Sequence, residues 1–266
     1  MHKLLRCVWL FGLLCCAIDV RAQGDQTSIR VNISSGSTGA WLHLPDDYST
    51  TSTNYPLLIF LHGLGEAGTD LNLVLAHGVP RMIANGAKMQ YTVNGKLFKF
   101  IVVSPQIPSG WSNEQDIQNL INDVKSRYRI DANRIYLTGL SAGGAGTWNF
   151  AASGAKYASN LAALVPVSAA GIDDSKLPGL CTLAGCNVPV WAIGGNLGAD
   201  LTFLTFLQNY TADINACNPA TKAITTVYQG TGHDDGTWDR AYDTAHKYQN
   251  PNIYEWMLQY SRTDAA

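Results

Sequence analysis

The sequence predicts one α/β domain with a mostly parallel central sheet of about eight strands and helices on both faces. Short β-branched or apolar runs recur along the chain, and stretches with helical spacing separate them. About 240 residues follow a distinct N-terminal leader, a length that suits a single domain with a large core. In parallel sheets of this kind, active sites lie at the carboxyl ends of the strands.

The predicted strands are short runs bounded by turn-forming residues. They span Ile29 to Ile33, Ala40 to Leu44, Leu57 to Leu61, Phe100 to Val103, Ile135 to Thr138, Leu161 to Val167, Val188 to Ile193 and Ala223 to Tyr228. Between the second and third runs, the Ser/Thr-rich stretch from Ser49 to Thr53 is predicted to form a hairpin loop. The sequence contains no internal repeat or linker, so we expect one sheet.

Two helices have particularly clear patterns. After Trp111, apolar residues follow the spacing of one buried helix face, with Ser112 and Gln115 as a predicted capping box. The last helix is predicted to start with Asn250 as N-cap and Pro251 in the first turn. The apolar faces comprise Ile117, Leu120, Ile121, Val124 and Tyr128 in the first, and Ile253, Trp256, Met257 and Tyr260 in the last.

Residues 1–22 are predicted to be a signal peptide, and residues 23–266 a single catalytic domain. Basic residues at positions 2–6 precede an uncharged run from Leu10 to Ile18, which is too short to cross a bilayer. The segment Val20-Arg21-Ala22 then has the pattern of a cleavage site. We therefore expect a secreted or periplasmic protein without a membrane span.

The charge of the chain argues against a nucleic-acid partner. The formal net charge is -2, and loss of the leader, with its three Lys or Arg and one Asp, makes it -4. The remaining charges are mixed in sign and form no basic run that could bind phosphates or an anionic membrane. We therefore expect neither nucleic acid nor a membrane as a partner.

Three cysteines remain after the leader, at positions 181, 186 and 217. In an exported chain the close pair Cys181 and Cys186 is predicted to close a small loop as a disulfide, which leaves Cys217 free or exchanging partners with it. A metal site would need further soft ligands nearby in the sequence, and these are missing. We therefore expect no metal.

The clearest chemical signal is the pentapeptide Gly139-Leu140-Ser141-Ala142-Gly143. It follows a buried strand and precedes a helical pattern, a context typical of a nucleophile elbow, in which a strained turn exposes the serine hydroxyl at a helix N-terminus. The two glycines of the motif are small because neighbouring chain passes very close. Ser141 is therefore the predicted nucleophile.

A serine hydroxyl needs a base, and in this kind of fold the base follows the last strand. His233 lies there, after the strand that ends at Tyr228, and is the predicted general base. The acid that orients the imidazole should follow the preceding strand, and Asp200 is the first carboxylate beyond Ile193. The alternatives for this acid are Asp173, Asp174 and Asp213.

Two backbone amides are predicted to bind the oxyanion of a tetrahedral intermediate. One belongs to Ala142, directly after the nucleophile, and the other to Leu64, in the His62-Gly63-Leu64-Gly65 loop after the third strand. His62 could itself serve as a base, but a histidine at the end of this strand more often braces a loop through its ring nitrogens. We therefore predict a bracing role for His62.

A set of segments across the mature chain carries a resemblance to a known group. They are Leu58 to Asp70, His77 to Pro80, Ile101 to Gln106, Arg134 to Gly144, Pro189 to Ala192, Gly232 to Asp234 and Trp238 to Tyr242. Together they resemble secreted carboxylesterases of the "predicted peptidase" group, related to feruloyl and acetylxylan esterases and to polyhydroxybutyrate depolymerases. The resemblance implies the α/β-hydrolase fold, a catalytic Ser141, Asp200 and His233, and oxyanion donors at Leu64 and Ala142.

Two positions depart from the pattern of that group. Ala67 stands where its members usually have an Arg after the Glu of the early loop. The stretch from Gly194 to Ala199 is also longer than the usual spacing, so aligning Asp200 with the acid requires a two-residue insertion. Without the insertion, Gly198 would stand in the place of the acid.

The residues and the resemblance together predict a serine carboxylesterase that acts through an acyl-enzyme without a cofactor. The expected substrates are small-molecule, polysaccharide-linked or polymeric esters, with feruloyl and acetyl esters among them. The alternatives are a serine peptidase or polyester depolymerase with the same triad, and a non-catalytic binding module. Four tryptophans either line an aromatic or sugar-ester pocket or pack in the core: Trp111, Trp148, Trp191 and Trp238.

Overall fold

The computed structural model describes residues 24–262. Its strands are β1 (Gln26–Ile33), β2 (Gly36–His43), β3 (Tyr55–Leu61), β4 (Gln90–Val93), β5 (Lys96–Lys99), β6 (Ile101–Pro105), β7 (Ile130–Leu140), β8 (Ala163–Val167), β9 (Trp191–Gly195) and β10 (Ile224–Tyr228). Eight of them form one sheet in the order β1-β2-β6-β3-β7-β8-β9-β10, and β4 and β5 pair separately. The pairs β1·β2 and β2·β6 are antiparallel, whereas the sheet is parallel from β6 to β10. The predicted sheet is confirmed.

Helices cover both faces of the sheet. They are α1 (Gly78–Ala84), α2 (Glu114–Arg127), α3 (Ala142–Ala152), α4 (Ala155–Ala158), α5 (Leu180–Gly185), α6 (Asp200–Ala216), α7 (Asp235–Ala241) and α8 (Ile253–Leu258). Because successive strand residues face opposite sides, β3 buries Leu57 and Ile59 in one core and Leu58 and Phe60 in the other. The first core includes residues of α2, α3, α5 and α6, and the second includes residues of α1, α8 and the β4–β5 hairpin.

Two predicted helix starts are wrong by one or two residues. Helix α2 begins after Asn113, whose side chain accepts a hydrogen bond from a first-turn amide, so Ser112 is not the cap. Helix α8 begins after Asn252, which forms a capping box with Glu255 in place of the predicted Asn250. In both helices a nearby asparagine satisfies the free amides of the first turn.

The prediction for the connection between β2 and β3 is also wrong. Strand β6 lies between these two strands, so the stretch from Ser49 to Thr53 leads to a non-adjacent strand and is not a hairpin loop. The prediction also missed the β4–β5 hairpin. Its turn residues Asn94 and Gly95 both have positive φ, and this dipeptide is the sequence signal that could have revealed the hairpin.

The disulfide joins Cys181 to Cys217, so the predicted pair of Cys181 with Cys186 is wrong. Cys181 lies in α5 and Cys217 directly follows α6, two helices that pack together and bring the Cα atoms to 5.5 Å across 36 residues of sequence. Cys181 lies in α5 and Cys186 caps its C-terminal end, five positions later. At this spacing a helix directs the two side chains to different sides. Among the described residues, Cys186 is the free cysteine and is half-buried.

The predicted leader, residues 1–22, lies outside the described part of the chain. Between residues 24 and 262, no helix is both long and apolar enough to cross a bilayer. The longest helix there, α6, has 17 residues and begins with a buried aspartate.

Candidate active site

The turn at Ser141 joins β7 to α3 at the carboxyl end of the strand. Ser141 has a φ of 55°, a strained value for a residue that carries a side chain. A Cβ on Gly143 would lie 2.0 Å from the carbonyl oxygen of Leu61, and one on Gly139 would lie 2.6 Å from the carbonyl oxygen of Gly143. The two glycines therefore permit the close approach of chain on which this sharp turn depends.

One hydrogen-bonded chain joins Ser141, His233 and Asp200. His233 lies on the loop between β10 and α7, and its Nε2 is 2.8 Å from Ser141 Oγ. Its Nδ1 is 2.7 Å from Asp200 Oδ1, so the structure brings these three sequence-predicted residues together. A neutral imidazole in this position donates its Nδ1–H to the carboxylate and accepts the serine O–H at Nε2.

Asp200, the first residue of α6, is completely buried. Its Oδ2 accepts hydrogen bonds from the Ser168 hydroxyl at 2.9 Å and from the Gly195 amide at 2.8 Å. Burial alone would raise the pKa of Asp200, but hydrogen bonds from His233, Gly195 and Ser168 outweigh it and hold the pKa below its ordinary value. The carboxylate is therefore kept charged while it faces His233.

The longer segment before Asp200 bends back over the strand ends. The amides of Asn196 and Leu197 both donate to the Thr231 carbonyl oxygen at 2.9 Å, which folds the extra residues against the loop that carries His233. The three alternative carboxylates, Asp173, Asp174 and Asp213, are exposed. Asp173 accepts from the Ser175 amide at the start of a 3-10 turn. The position beside His233 Nδ1 therefore belongs to Asp200.

The Leu64 and Ala142 amides each begin a helical turn close to Ser141. Leu64 starts a 3-10 turn, Leu64–Glu66, and Ala142 starts α3. The first amides of a helix have no partner within that helix and can bind an anion. A Cβ on Gly63 would lie 3.4 Å from Ser141 Cβ, so the Leu64 turn approaches the serine closely. Both amides therefore begin turns that lie next to Ser141.

The buried His62 side chain holds this turn to the neighbouring backbone. Its Nδ1 lies 2.6 Å from the Gly63 carbonyl oxygen, and its Nε2 accepts the Ile107 amide at 3.1 Å. Trp111 donates its indole N–H to the His62 carbonyl oxygen at 3.0 Å and packs edge-on against the imidazole. Burial lowers the pKa of His62, which keeps the ring neutral. These contacts match the bracing role predicted for His62.

Aromatic rings pack against the imidazole of His233. Phe203 and Trp238 contact it edge-on, with ring centroids at 4.7 Å and 5.1 Å. Trp148 and Trp191 are instead buried in the two cores, as the packing alternative predicts. Of the four tryptophans, Trp238 is therefore the one that lines the candidate site beside His233.

Sequence reasoning missed two residues that hold Asp200. Ser168 directly follows β8 and has a φ of 43°, and Gly195 ends β9. A Cβ on Gly195 would lie 2.8 Å from Asp200 Oδ2, so this close approach requires glycine. Both residues lie at the carboxyl ends of parallel strands, and that position is the signal that could have identified them.

The sheet and the order of these residues along it define an α/β-hydrolase fold. The serine follows a central strand on a strand–turn–helix elbow, the acid follows a later strand, and the histidine follows the last strand. The chain matches no protein-family model and no curated protein sequence.

Solved structures of the same fold are similar to this chain. A thermostable esterase superposes with a TM-score of 0.65 and 23% identity over 90% of this chain, which spans only 64% of that protein. A feruloyl esterase module from Clostridium thermocellum, complexed with sinapinate, has a TM-score of 0.59 and 20% identity, with 82% of this chain and 83% of the module covered. An acylaminoacyl peptidase has a TM-score of 0.56 and 14% identity, with coverages of 88% and 44%. At such identities the likeness establishes the fold.

Proposed function

We propose that this protein hydrolyses carboxylic esters through an acyl-enzyme, with Ser141 as the nucleophile. The observation that carries the proposal is the Ser141–His233–Asp200 chain, with contacts of 2.8 Å and 2.7 Å, on the elbow of an α/β-hydrolase fold. A strained serine turn, a hydrogen-bonded imidazole and a buried, charged carboxylate are the groups that acyl transfer needs.

In the proposed acylation step, neutral His233 takes the proton of Ser141 as Oγ attacks the ester carbonyl carbon. The carbonyl oxygen becomes an oxyanion, which the Leu64 and Ala142 amides stabilise. Asp200 stabilises the imidazolium that forms. The intermediate then collapses, the C–O bond to the alcohol breaks, and His233 gives its proton to the leaving oxygen.

In the proposed deacylation step, a water molecule replaces the alcohol. His233 removes a proton from the water, whose oxygen attacks the acyl carbon, and the same two amides bind the second oxyanion. Breaking the bond to Ser141 Oγ releases the acid and returns the proton to the serine. Each step uses protein groups and water, so the proposal needs no metal and no organic cofactor.

We propose small-molecule, polysaccharide-linked or polymeric esters as substrates, with feruloyl and acetyl esters first. Two of the similar structures are esterases, and one is a feruloyl esterase module. The side chains of Leu64 and Leu197 are exposed at the turns next to the site, and apolar groups there favour an apolar or aryl part of the ester.

We also propose that the protein acts outside the cytoplasm, secreted or periplasmic. The Cys181–Cys217 disulfide supports this location, because such bonds persist in oxidising compartments. Expression with residues 1–22 and mass analysis of the exported chain would test it. A mature N-terminus near residue 23 is the expected result, and retention of the intact leader in the cytoplasm would contradict the proposal.

A hydrolysis panel tests the reaction itself. The purified chain is offered acetyl, feruloyl and longer acyl esters, a polyhydroxyalkanoate, and a peptide anilide. We expect turnover of esters at rates well above that of the anilide, together with labelling of Ser141 by a fluorophosphonate. Comparable rates on the anilide would favour a peptidase. The absence of both turnover and labelling would favour a binding module.

Replacing Ser141 by alanine is the decisive variant. We expect Ser141→Ala to lower kcat by about 10⁴ to 10⁶-fold, because only the nucleophile is lost and the elbow tolerates a smaller side chain. Its unfolding midpoint should stay close to that of the wild type. If more than about a tenth of the activity remained, a serine mechanism would be excluded.

A further inference from the structure

A second histidine–carboxylate chain lies beside the candidate site, and the proposed reaction uses none of its side chains. Asp235 Oδ1 lies 2.7 Å from His77 Nδ1, and His77 Nε2 lies 3.7 Å from Glu66 Oε1. Arg81 contacts the other Asp235 oxygen at 2.9 Å. The side chain of Asp235 is 47% exposed and that of Glu66 only 10%, so the chain leads from the surface to the interior.

Glu66 ends the turn that carries the Leu64 amide. Its own amide donates to the Gly63 carbonyl oxygen, and Gln106 Nε2 donates to its carbonyl oxygen at 2.8 Å. A Cβ built on Gly63 would lie 2.9 Å from Glu66 Oε2 and 3.4 Å from Ser141 Cβ. The Glu66 carboxylate therefore packs against the same glycine that approaches the serine, and a shift of Glu66 would shift the Leu64 amide.

The buried position of Glu66 costs free energy. Its Oε2 has no hydrogen-bond partner within residues 24–262, although the residue is only 7% exposed. A buried carboxylate oxygen without a partner is uncommon because its lost hydration is not replaced. His77 faces the other oxygen and is held in turn by Asp235. A buried, unpartnered carboxylate oxygen beside the turn of a proposed oxyanion donor points to a role in the reaction.

Trp238 connects this chain to the proposed general base. Its ring packs edge-on against His77 at a centroid distance of 4.8 Å and against His233 at 5.1 Å. His77 thus contacts the tryptophan that lines His233, and it faces the glutamate that lines the Leu64 turn. The linked side chains of Glu66, His77 and Asp235 therefore contact both the tryptophan beside the proposed base and the turn of a proposed oxyanion donor.

We propose that Glu66 and His77, backed by Asp235, are positioning residues that hold the Leu64 amide in place for the oxyanion. The inference rests on the proposed function. The two nitrogens of His77 face Asp235 and Glu66, so His77 is not a second base for Ser141. Displacing one oxyanion donor weakens binding of the transition state more than binding of the substrate, so the effect should fall on kcat.

Two conservative variants test this role on p-nitrophenyl acetate. We expect Glu66→Gln to lower kcat by about 10- to 100-fold and Asp235→Asn by about 3- to 10-fold, with KM within about twofold of the wild type. The Kd of a phenylboronic acid, whose adduct with Ser141 Oγ places a boron-bound oxygen at the oxyanion position, should rise by the same factors. Because both residues act through one chain, the double variant should be no slower than Glu66→Gln.

Glu255→Gln is the matched control. Glu255 also contacts a histidine, His246, but on helix α8, so its variant should keep wild-type kcat and boronate affinity. Unfolding midpoints of all variants show whether the fold is intact, and the half-exposed Asp235 gives a variant that should fold in any case.

Several results would overturn the inference while leaving the proposed function in place. They are wild-type kcat in both test variants, a change confined to KM, additive losses in the double variant, or a loss of kcat that only follows a loss of folded protein. An inactive wild-type chain would instead overturn the proposed function.

Discussion

At the scale of single residues, the surroundings of Asp200 distinguish it from the other carboxylates nearby. Ser168 and the Gly195 amide occupy one oxygen, which leaves the other directed at His233. Asp174 and Asp213 are exposed to solvent. A carboxylate with no freedom to rotate can hold one imidazole tautomer, and this constraint suits an acid that orients a base.

Asp200→Asn should lower kcat by up to about 10⁴-fold, because an amide in this position favours the imidazole tautomer that cannot accept the serine proton. Steady-state kinetics on p-nitrophenyl acetate measure the loss. Asp174→Asn and Asp213→Asn are the controls and should stay close to wild type. If one of the controls lost activity while Asp200→Asn stayed active, the residue replaced in that control would be the acid that orients His233.

On the acidic side of the pH profile, activity should depend on the loss of a single proton. Because hydrogen bonds hold the pKa of Asp200 below its ordinary value, that carboxylate stays charged across the mildly acidic range. Activity requires neutral His233, so kcat/KM should rise with pH along a slope of about one. His233→Ala should be as inactive as Ser141→Ala. An active His233→Ala beside an inactive His62→Ala would show that the base is His62.

The lowered pKa of Asp200 also affects stability. A carboxylate whose folded-state pKa lies below its unfolded value stabilises the fold above the unfolded pKa, and this contribution is lost as pH falls through the folded pKa. Urea unfolding at a series of acidic pH values, with Asp200→Asn for comparison, would detect it. If the free energies of unfolding of the wild type and Asp200→Asn changed with pH in parallel, the lowered pKa of Asp200 would be contradicted.

At the scale of elements, the elbow depends on how closely α3 approaches the end of β3. Gly143 lies against the Leu61 carbonyl, and Gly144 lies so close to Ala169 that an added Cβ would be 2.7 Å from the alanine Cβ. Strand, turn and helix are therefore fitted through backbone contacts, which no side-chain rearrangement can relieve.

Gly143→Ala should destabilise the protein by at least about 1–3 kcal/mol, because its methyl would overlap the Leu61 carbonyl and force α3 away from β3. Chemical denaturation measures this change, and activity should fall with it. Gly185→Ala is the control, since a Cβ there meets nothing within 4 Å. If the two variants were equally stable, the elbow would have room for a methyl group at position 143, and the close contact with the Leu61 carbonyl would be contradicted.

At the scale of the whole molecule, the disulfide encloses part of the candidate site. Cys181 and Cys217 are 36 positions apart, and the segment between them includes β9 and the turn that leads to Asp200. Cys217→Ser should therefore lower the free energy of unfolding by about 3–4 kcal/mol, as expected for a loop of this length. Cys186→Ser should have little effect. Peptide mapping that found Cys186 in the bond would contradict the pairing.

Much of the fold could be predicted from the sequence. All eight predicted strands occur in the main sheet, because short apolar runs bounded by turn residues specify strands locally. Local patterns were less reliable at the ends of elements. Asn113 caps α2 in place of the predicted Ser112. The segment that begins at Ser49 connects β2 to β3, which are not adjacent in the sheet.

The sequence by itself determined the class of fold, the serine on its elbow and the histidine after the last strand, because each depends on a local pattern and on chain order. Only the tertiary structure decided which partners meet across the sheet. It paired Cys181 with Cys217, surrounded Asp200 with Ser168 and Gly195, and joined Glu66 to Asp235 through His77. The packing of α5 on α6 brings the two cysteines together. Ser168 is 32 positions from Asp200, and His77 is 158 positions from Asp235, and these side chains meet because parallel strands bring their carboxyl ends to one edge of the sheet.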